Sequence, residues 1–177
     1  MGHVVGGDKG EMLSDTPTPY DSRPETLAHS QRVEDLIGPV HAELFLRSVT
    51  HDRSKMESPE LEVFNEFTPK LKESTYGSDE YKRFLEGMGE GLAHHYENNR
   101  HHPEHFAGGI ADMTLVDLIE MLADWKAATE RHDDGSLRRS LVIQRGRFGI
   151  DAQLDSVLWA TARFFGWLDD PDDEEEG

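Results

Sequence analysis

"TLVDLIEMLADWKAATERH", residues 114–132, decides the fold class. Leu115, Leu118, Ile119, Leu122 and Trp125 recur every three or four positions, the period that gathers side chains on one face of an α-helix. Thr114 supplies an N-cap hydroxyl, and Asp117 three residues later resembles the second half of a capping box. Asp124 sits at the edge of the apolar stripe, about 20° from Asp117 around the wheel, so it can look into a cleft while its neighbours pack. An isolated aspartate so placed is more often a solvated flank residue.

Outward from this helix the same period repeats. Pro24 and Glu25 open ETLAHSQRVEDLIG, in which Leu27, Val33, Leu36 and Ile37 keep helical spacing; Pro39 is expected to interrupt it before VHAELFLRSV resumes. Ser58 is read as the cap of ELEVFNEF with Pro59 at its first position, and Ser78 as the cap of DEYKRFLEGMGEGLAHHYENN. Ser136 and Asp151 are expected to cap the last two helices. No segment alternates as a strand does, and no repeat is present. The expectation is all-α: a compact bundle of six or seven helices over residues 24–168, a flexible N-terminal arm over 1–23, and an acidic, disordered tail over 169–177.

Composition narrows the function. The 177 residues, 36% of them hydrophobic, suffice for one main core. Cysteine is absent, which removes disulfides, thiolate metal sites and cysteine nucleophiles and leaves nitrogen and oxygen as the only metal donors. The net charge is −18, with seven acidic side chains in residues 169–176 alone, and such a chain repels nucleic-acid phosphates. No apolar run is long enough for a membrane span and the opening MGHVVGGDKGEM is no signal sequence, so a cytoplasmic protein is expected. The apolar positions leave a homo-oligomer open, since periodicity does not separate a core from a dimer contact.

The polar residues carry the chemistry. "LAHHYENNRHHPEHF", residues 92–106, holds five of the ten histidines, and imidazole is the commonest protein ligand for divalent transition metals. His95 and His102 are seven residues apart, as are His94 and His101, but Pro103 disfavours helix at His102. Upstream, "LFLRSVTHDRSK" ends with His51 beside Asp52; the two can turn to one side only where the helix is ending, and a metal would offset the cost of holding a carboxylate near the core. Lys55 follows one helical turn later, and His29 precedes His51 by 22 residues.

His29, then His51 with Asp52, then Asp124 resembles the signature of the HD-domain metal-dependent phosphohydrolases. "HSQRVEDLIG" looks like the first ligand helix of that family, "HDRSK" like its HDxGK with Ser54 replacing glycine, and "IADMTLVDLIEMLADWKAA" like the segment that carries its final metal aspartate. The resemblance covers roughly residues 25–130, and the HDRSK and HHPEH stretches are also similar to those of uncharacterised phage and bacterial proteins. It implies that His29, His51, Asp52 and Asp124 hold a divalent ion (manganese, iron, cobalt, nickel or magnesium), whose bound water attacks phosphorus as hydroxide. Lys55, Arg53 or both would neutralise phosphate oxygens. Two-metal branches of the family add histidines before the last aspartate, which makes His95, His101 and His102 candidates for a second ion or, one of them and His95 foremost, for protonating the leaving oxygen.

Arg138, Arg139, Arg145 and Arg147 form the one basic concentration, read first as ion-pair partners of nearby carboxylates and second, through Arg145 and Arg147, as a phosphate grip. Trp125, Trp159 and Trp167 are read as core residues, and His41 and His132 as structural or exposed. The functional expectation is hydrolysis of a small phosphate ester, most simply a nucleotide. A di-iron oxygenase on a small polyol or phosphonate, and a non-catalytic helical interaction protein with a degenerate metal site, are the alternatives.

Overall fold

Thr114 and Asp117 close the expected capping box: the Thr114 hydroxyl accepts from the Asp117 amide and the Asp117 carboxylate from the Thr114 amide. They start the fourth of six α-helices in the computed structural model, which describes residues 2, 19–75, 78–131 and 135–168. The helices are α1 (Arg23–Thr50), α2 (Glu60–Glu73), α3 (Asp79–Asn98), α4 (Leu115–Thr129), α5 (Leu137–Phe148) and α6 (Ala152–Phe164). Three short 3₁₀ turns complete the regular structure, and no strand occurs among the described residues. The expected tail over 169–177, most of the expected arm and His132 lie outside the described residues.

Ser78, Ser136 and Asp151 cap α3, α5 and α6 as their sequence positions require, each side chain accepting from backbone amides of the first turn. The prolines behave differently from expectation. α1 runs through Pro39, whose missing N–H leaves the Asp35 carbonyl without its helical donor; Asp35 is exposed, so water can supply one. At α2 the cap position falls on Pro59 itself, with no side-chain cap bond from Ser58.

The chain divides into two units, one ending at Gly38 and one beginning at Pro39, where a single domain over 24–168 is expected. None of the residues of α1 is buried, and Leu27, Val33, Leu36 and Ile37 are exposed although they keep a core-like period. The hydrophobic core lies in the second unit. Leu118, Met121, Leu122 and Trp125 of α4 meet Leu137 and Leu141 of α5, Ile150, and Leu158 and Ala162 of α6. Burial of each large side chain stabilises by about 1.5–3 kcal/mol. Trp159 and Trp167 pack against this core, as expected for all three tryptophans. Gly149 takes the left-handed conformation (φ 62°) that ends α5 and lets the Ile150 amide reach the Arg145 carbonyl. α2 and α3 approach closely at Gly91, where an added Cβ would stand 2.6 Å from Val63 Cγ2. No helix among the described residues is long and apolar enough to cross a membrane.

Candidate metal centre

The end of α1 turns two adjacent side chains inward. Asp52 adopts a left-handed backbone (φ 56°, ψ 17°), which stops the helix after Thr50 and aims both His51 and Asp52 into the second unit. Aspartate tolerates this conformation better than most residues, and strained positions of this kind concentrate at functional sites. α3 contributes His94 and His95 from its last turn and ends at Asn98, so His101 and His102 are carried by the following turn rather than by the continued helix. α4 contributes Asp124 from the flank of its apolar stripe.

These elements converge on two overlapping groups of donor atoms. Asp52, His95, His101 and His102 each offer one donor within 4.8 Å of the others, and His51, His101 and Asp124 do the same. His95 Nε2 stands 2.9 Å from His102 Nε2 and 3.3 Å from Asp52 Oδ1, while His101 Nε2 is 3.5 Å from that same oxygen. His51 Nε2 is 3.4 Å from Asp124 Oδ1 and 3.6 Å from Asp52 Oδ2. Ligands about 2.1 Å from an ion stand roughly 3.0–3.5 Å from one another, so these separations suit a metal polyhedron. Asp52 Oδ1 and His101 Nε2 are also buried with no hydrogen-bond partner among the described residues, a costly state that a cation would relieve. The donor set fits a divalent ion.

A second ring of carboxylates fixes the imidazoles. Glu60, fully buried at the start of α2, faces His94 Nδ1 at 2.7 Å through one oxygen and His95 Nδ1 at 2.8 Å through the other. Ser54 Oγ donates to Glu60 at 2.9 Å, and Asn99 Nδ2 donates to Ser54 Oγ at 2.7 Å. Glu120, one turn before Asp124, lies 3.0 Å from His51 Nδ1 and 3.4 Å from His101 Nδ1. An ionised carboxylate only accepts, so it holds a proton on Nδ1 and turns Nε2 toward the centre. Below this ring the buried Asp117 receives Arg47 Nη1 at 2.5 Å and Arg100 Nε and Nη2 at 3.0 Å, tying the end of α1 and the turn after α3 to α4.

The electrostatics favour positive charge. His51 is lifted to about 10, first by its contact with Asp124 and then by Glu120. Burial by itself would raise the Glu120 carboxyl, yet His101 and His51 hold it down at about 2. His102, pushed down to about 3 by burial and by the neighbouring His101 and His95, is neutral at neutral pH, so one of its ring nitrogens keeps a lone pair. Lys55 Nζ meets Asp52 Oδ2 at 2.5 Å and lies 4.7 Å over the Phe64 ring.

Of the residues expected from sequence, His51, Asp52, His95, His101, His102 and Asp124 come together, with Lys55 beside them. His29 is exposed on α1 in the first unit and belongs to neither donor group. Arg53 is exposed and does not line the cavity onto which the centre opens. Arg145 pairs with Asp155 at 3.2 Å outside that cavity, whereas Arg147 lines it and pairs with Glu104 at 2.6 Å. Glu60, Glu120 and Asn99 are part of the centre's hydrogen-bond network and were missed in the sequence reading. Glu120 had a signal, since it shares a helix face with Asp124; Glu60 reads as an ordinary first-turn acid.

The family model described as "Family of unknown function (DUF5662)" matches residues 18–163. No curated protein and no solved structure matches.

Proposed function

We propose, for a chain that belongs to the family of unknown function DUF5662 and takes no activity from it, that the second unit is a divalent-metal-dependent phosphohydrolase acting on a small phosphate ester. The observation that supports this reading is the buried convergence of four histidines and two aspartates beside Lys55 on the wall of a large cavity. His95, His101, His102 and Asp52 Oδ1 would hold one ion, and His51 and Asp124, with His101 common to both groups, would hold a second; Asp52 Oδ2, paired with Lys55, stands 3.6 Å from His51 Nε2. Such ions supply water activation and neutralise phosphoryl charge.

The chain's own residues do the rest. Glu60 and Glu120 face Nδ1 of His95, His51 and His101 and so turn Nε2 of each ring toward the centre. Lys55 brings an ammonium group to the phosphoryl oxygens, its Nζ held 4.7 Å over the Phe64 ring. Hydrolysis joins the oxygen of water to phosphorus, breaks the ester P–O bond, and delivers a proton to the leaving oxygen. A nucleotide in the cytoplasm is the simplest substrate of this kind.

The test is a phosphate-ester panel assayed with manganese, iron or cobalt. Release of phosphate from at least one member by the parent, and none by Asp52→Ala, is the expected result; no release from any member by the metal-loaded parent overturns the reading. The two overlapping donor groups also suit a di-iron oxygenase, which the same preparations would reveal by oxygen consumption with a polyol or phosphonate.

A further inference from the structure

The cavity beside the metal centre has a volume of about 1290 Å³, more than a mononucleotide fills. Among the described residues outside the donor groups and Lys55, its lining carries four cationic side chains, Lys72, Arg131, Arg139 and Arg147, and the anionic Glu73. The whole sequence has 36 acidic residues and 18 basic ones. Among the described residues the lining is richer in cations than the chain as a whole.

Helix geometry places most of these cations far from the metals. α2 begins at Glu60, bonded to His95, and presents Phe64, Thr68 and Lys72 to the cavity at four-residue steps. Lys72 is thereby about 18 Å along the axis from Glu60. α4 presents Asp124 and Ala128, and Arg131 just beyond its end, about 10 Å from Asp124 along the axis. Ser136 and Arg139 at the start of α5 follow that end directly in the chain, whereas Arg147 at the far end of α5 returns to Glu104, two residues from His102. Between the two ends the wall is apolar and aromatic, with Phe64, Met88, Trp125 and Ile143.

We infer that the cavity carries a second anion subsite formed by Lys72, Arg131 and Arg139. The substrate is then an elongated phosphate monoester whose apolar or aromatic body ends in a second anionic group, phosphate or carboxylate, roughly 10–15 Å from the reacting phosphorus. This rests on the phosphohydrolase reading and narrows it. A mononucleotide leaves the distal cations unused; a two-ended anion spans them and gains the additivity of tethered binding.

Calorimetric titration of the manganese-loaded full chain with octylphosphonate and with octane-1,8-bisphosphonate separates the two claims. The bisphosphonate is expected to bind at least tenfold more tightly, beyond the twofold that its two equivalent ends provide, and ethane-1,2-bisphosphonate is expected to show no such gain. Lys72→Gln with Arg139→Gln should return the octane compound to the octylphosphonate affinity while leaving octylphosphonate itself unchanged. Lys72→Arg with Arg139→Lys, which keeps both charges, should retain the gain. Octylphosphonate bound in a manganese-dependent way with no advantage for the bisphosphonate overturns the subsite alone, as does an advantage that survives the glutamine variant. Octylphosphonate bound equally without manganese and by Asp52→Ala overturns the metal-centre reading and the subsite with it.

Discussion

The two faces of α4 border opposite kinds of interior. On one, Leu118, Met121, Leu122 and Trp125 meet apolar partners from α5, α6 and Ile150. On the other, Asp117, Glu120 and Asp124 meet arginines and histidines from the end of α1 and the turn after α3. Volume holds the first interior together, and charge the second. A cavity in the apolar core costs contacts wherever it is made. A lost partner in the polar interior strands a charge, unless a cation or proton arrives to meet it.

Substitutions of similar size should therefore separate the two faces. The largest effect is expected from Leu122→Ala, which empties a fully buried position of the apolar core. It should lower unfolding free energy by about 2–5 kcal/mol, read by chemical denaturation, and leave metal bound per folded chain unchanged. A smaller loss together with lost metal would mean that the two interiors are one. Glu60→Gln keeps volume but removes the negative charge shared by His94 and His95. Metal affinity should fall about 10–100-fold, measured by competition with a chromogenic chelator, with little change in the unfolding of the metal-free chain.

Asp117 gives the polar face a pH signature. Burial by itself would raise its carboxyl, but Arg100, Arg47 and Thr114 hold it well below the ordinary range. Its stabilising contribution is therefore complete above the unfolded value of about 3.9 and disappears as pH falls through the depressed folded value. Below about pH 4, the parent should lose stability more steeply than Asp117→Asn, and parallel acid limbs in a thermal melt series would contradict this. The smallest effect is expected from His29→Ala: exposed and in neither donor group, this residue should leave metal affinity unaltered, and a tenfold loss would restore the ligand role that the HD resemblance implies.

Legibility followed the range of the forces involved. The caps at Ser78, Thr114, Ser136 and Asp151 are local hydrogen bonds between a side chain and its own first turn, so a few neighbouring residues suffice to read them. Pro39 was misread because the cost of a missing N–H depends on whether water reaches the orphaned carbonyl, which depends on exposure. The stripe of Val33, Leu36 and Ile37 shows the same limit: periodicity identifies a helix face but not what covers it.

At the centre, adjacency and the helical wheel left a solvated reading open for His51, Asp52 and Asp124, and only the resemblance that joins them made them ligand candidates, whereas the clustered histidines were legible from density. Which nitrogen each presents was not, because Glu60 and Glu120 set it from positions that read as solvated helix acids. The chain ends α3 at Asn98 and folds His101 and His102 back, a turn that Pro103 hinted at without giving its direction.

The most direct test of the account is metal content per chain, by elemental mass spectrometry on untagged protein purified without chelator, beside Asp52→Ala and His102→Ala. About two divalent ions per parent chain, neither retained by Asp52→Ala and one by His102→Ala, is the predicted result, since both residues belong to one donor group and Asp52 also stands 3.6 Å from His51 of the other. Metal at background in the parent, or equal in the parent and Asp52→Ala, would contradict the metal centre.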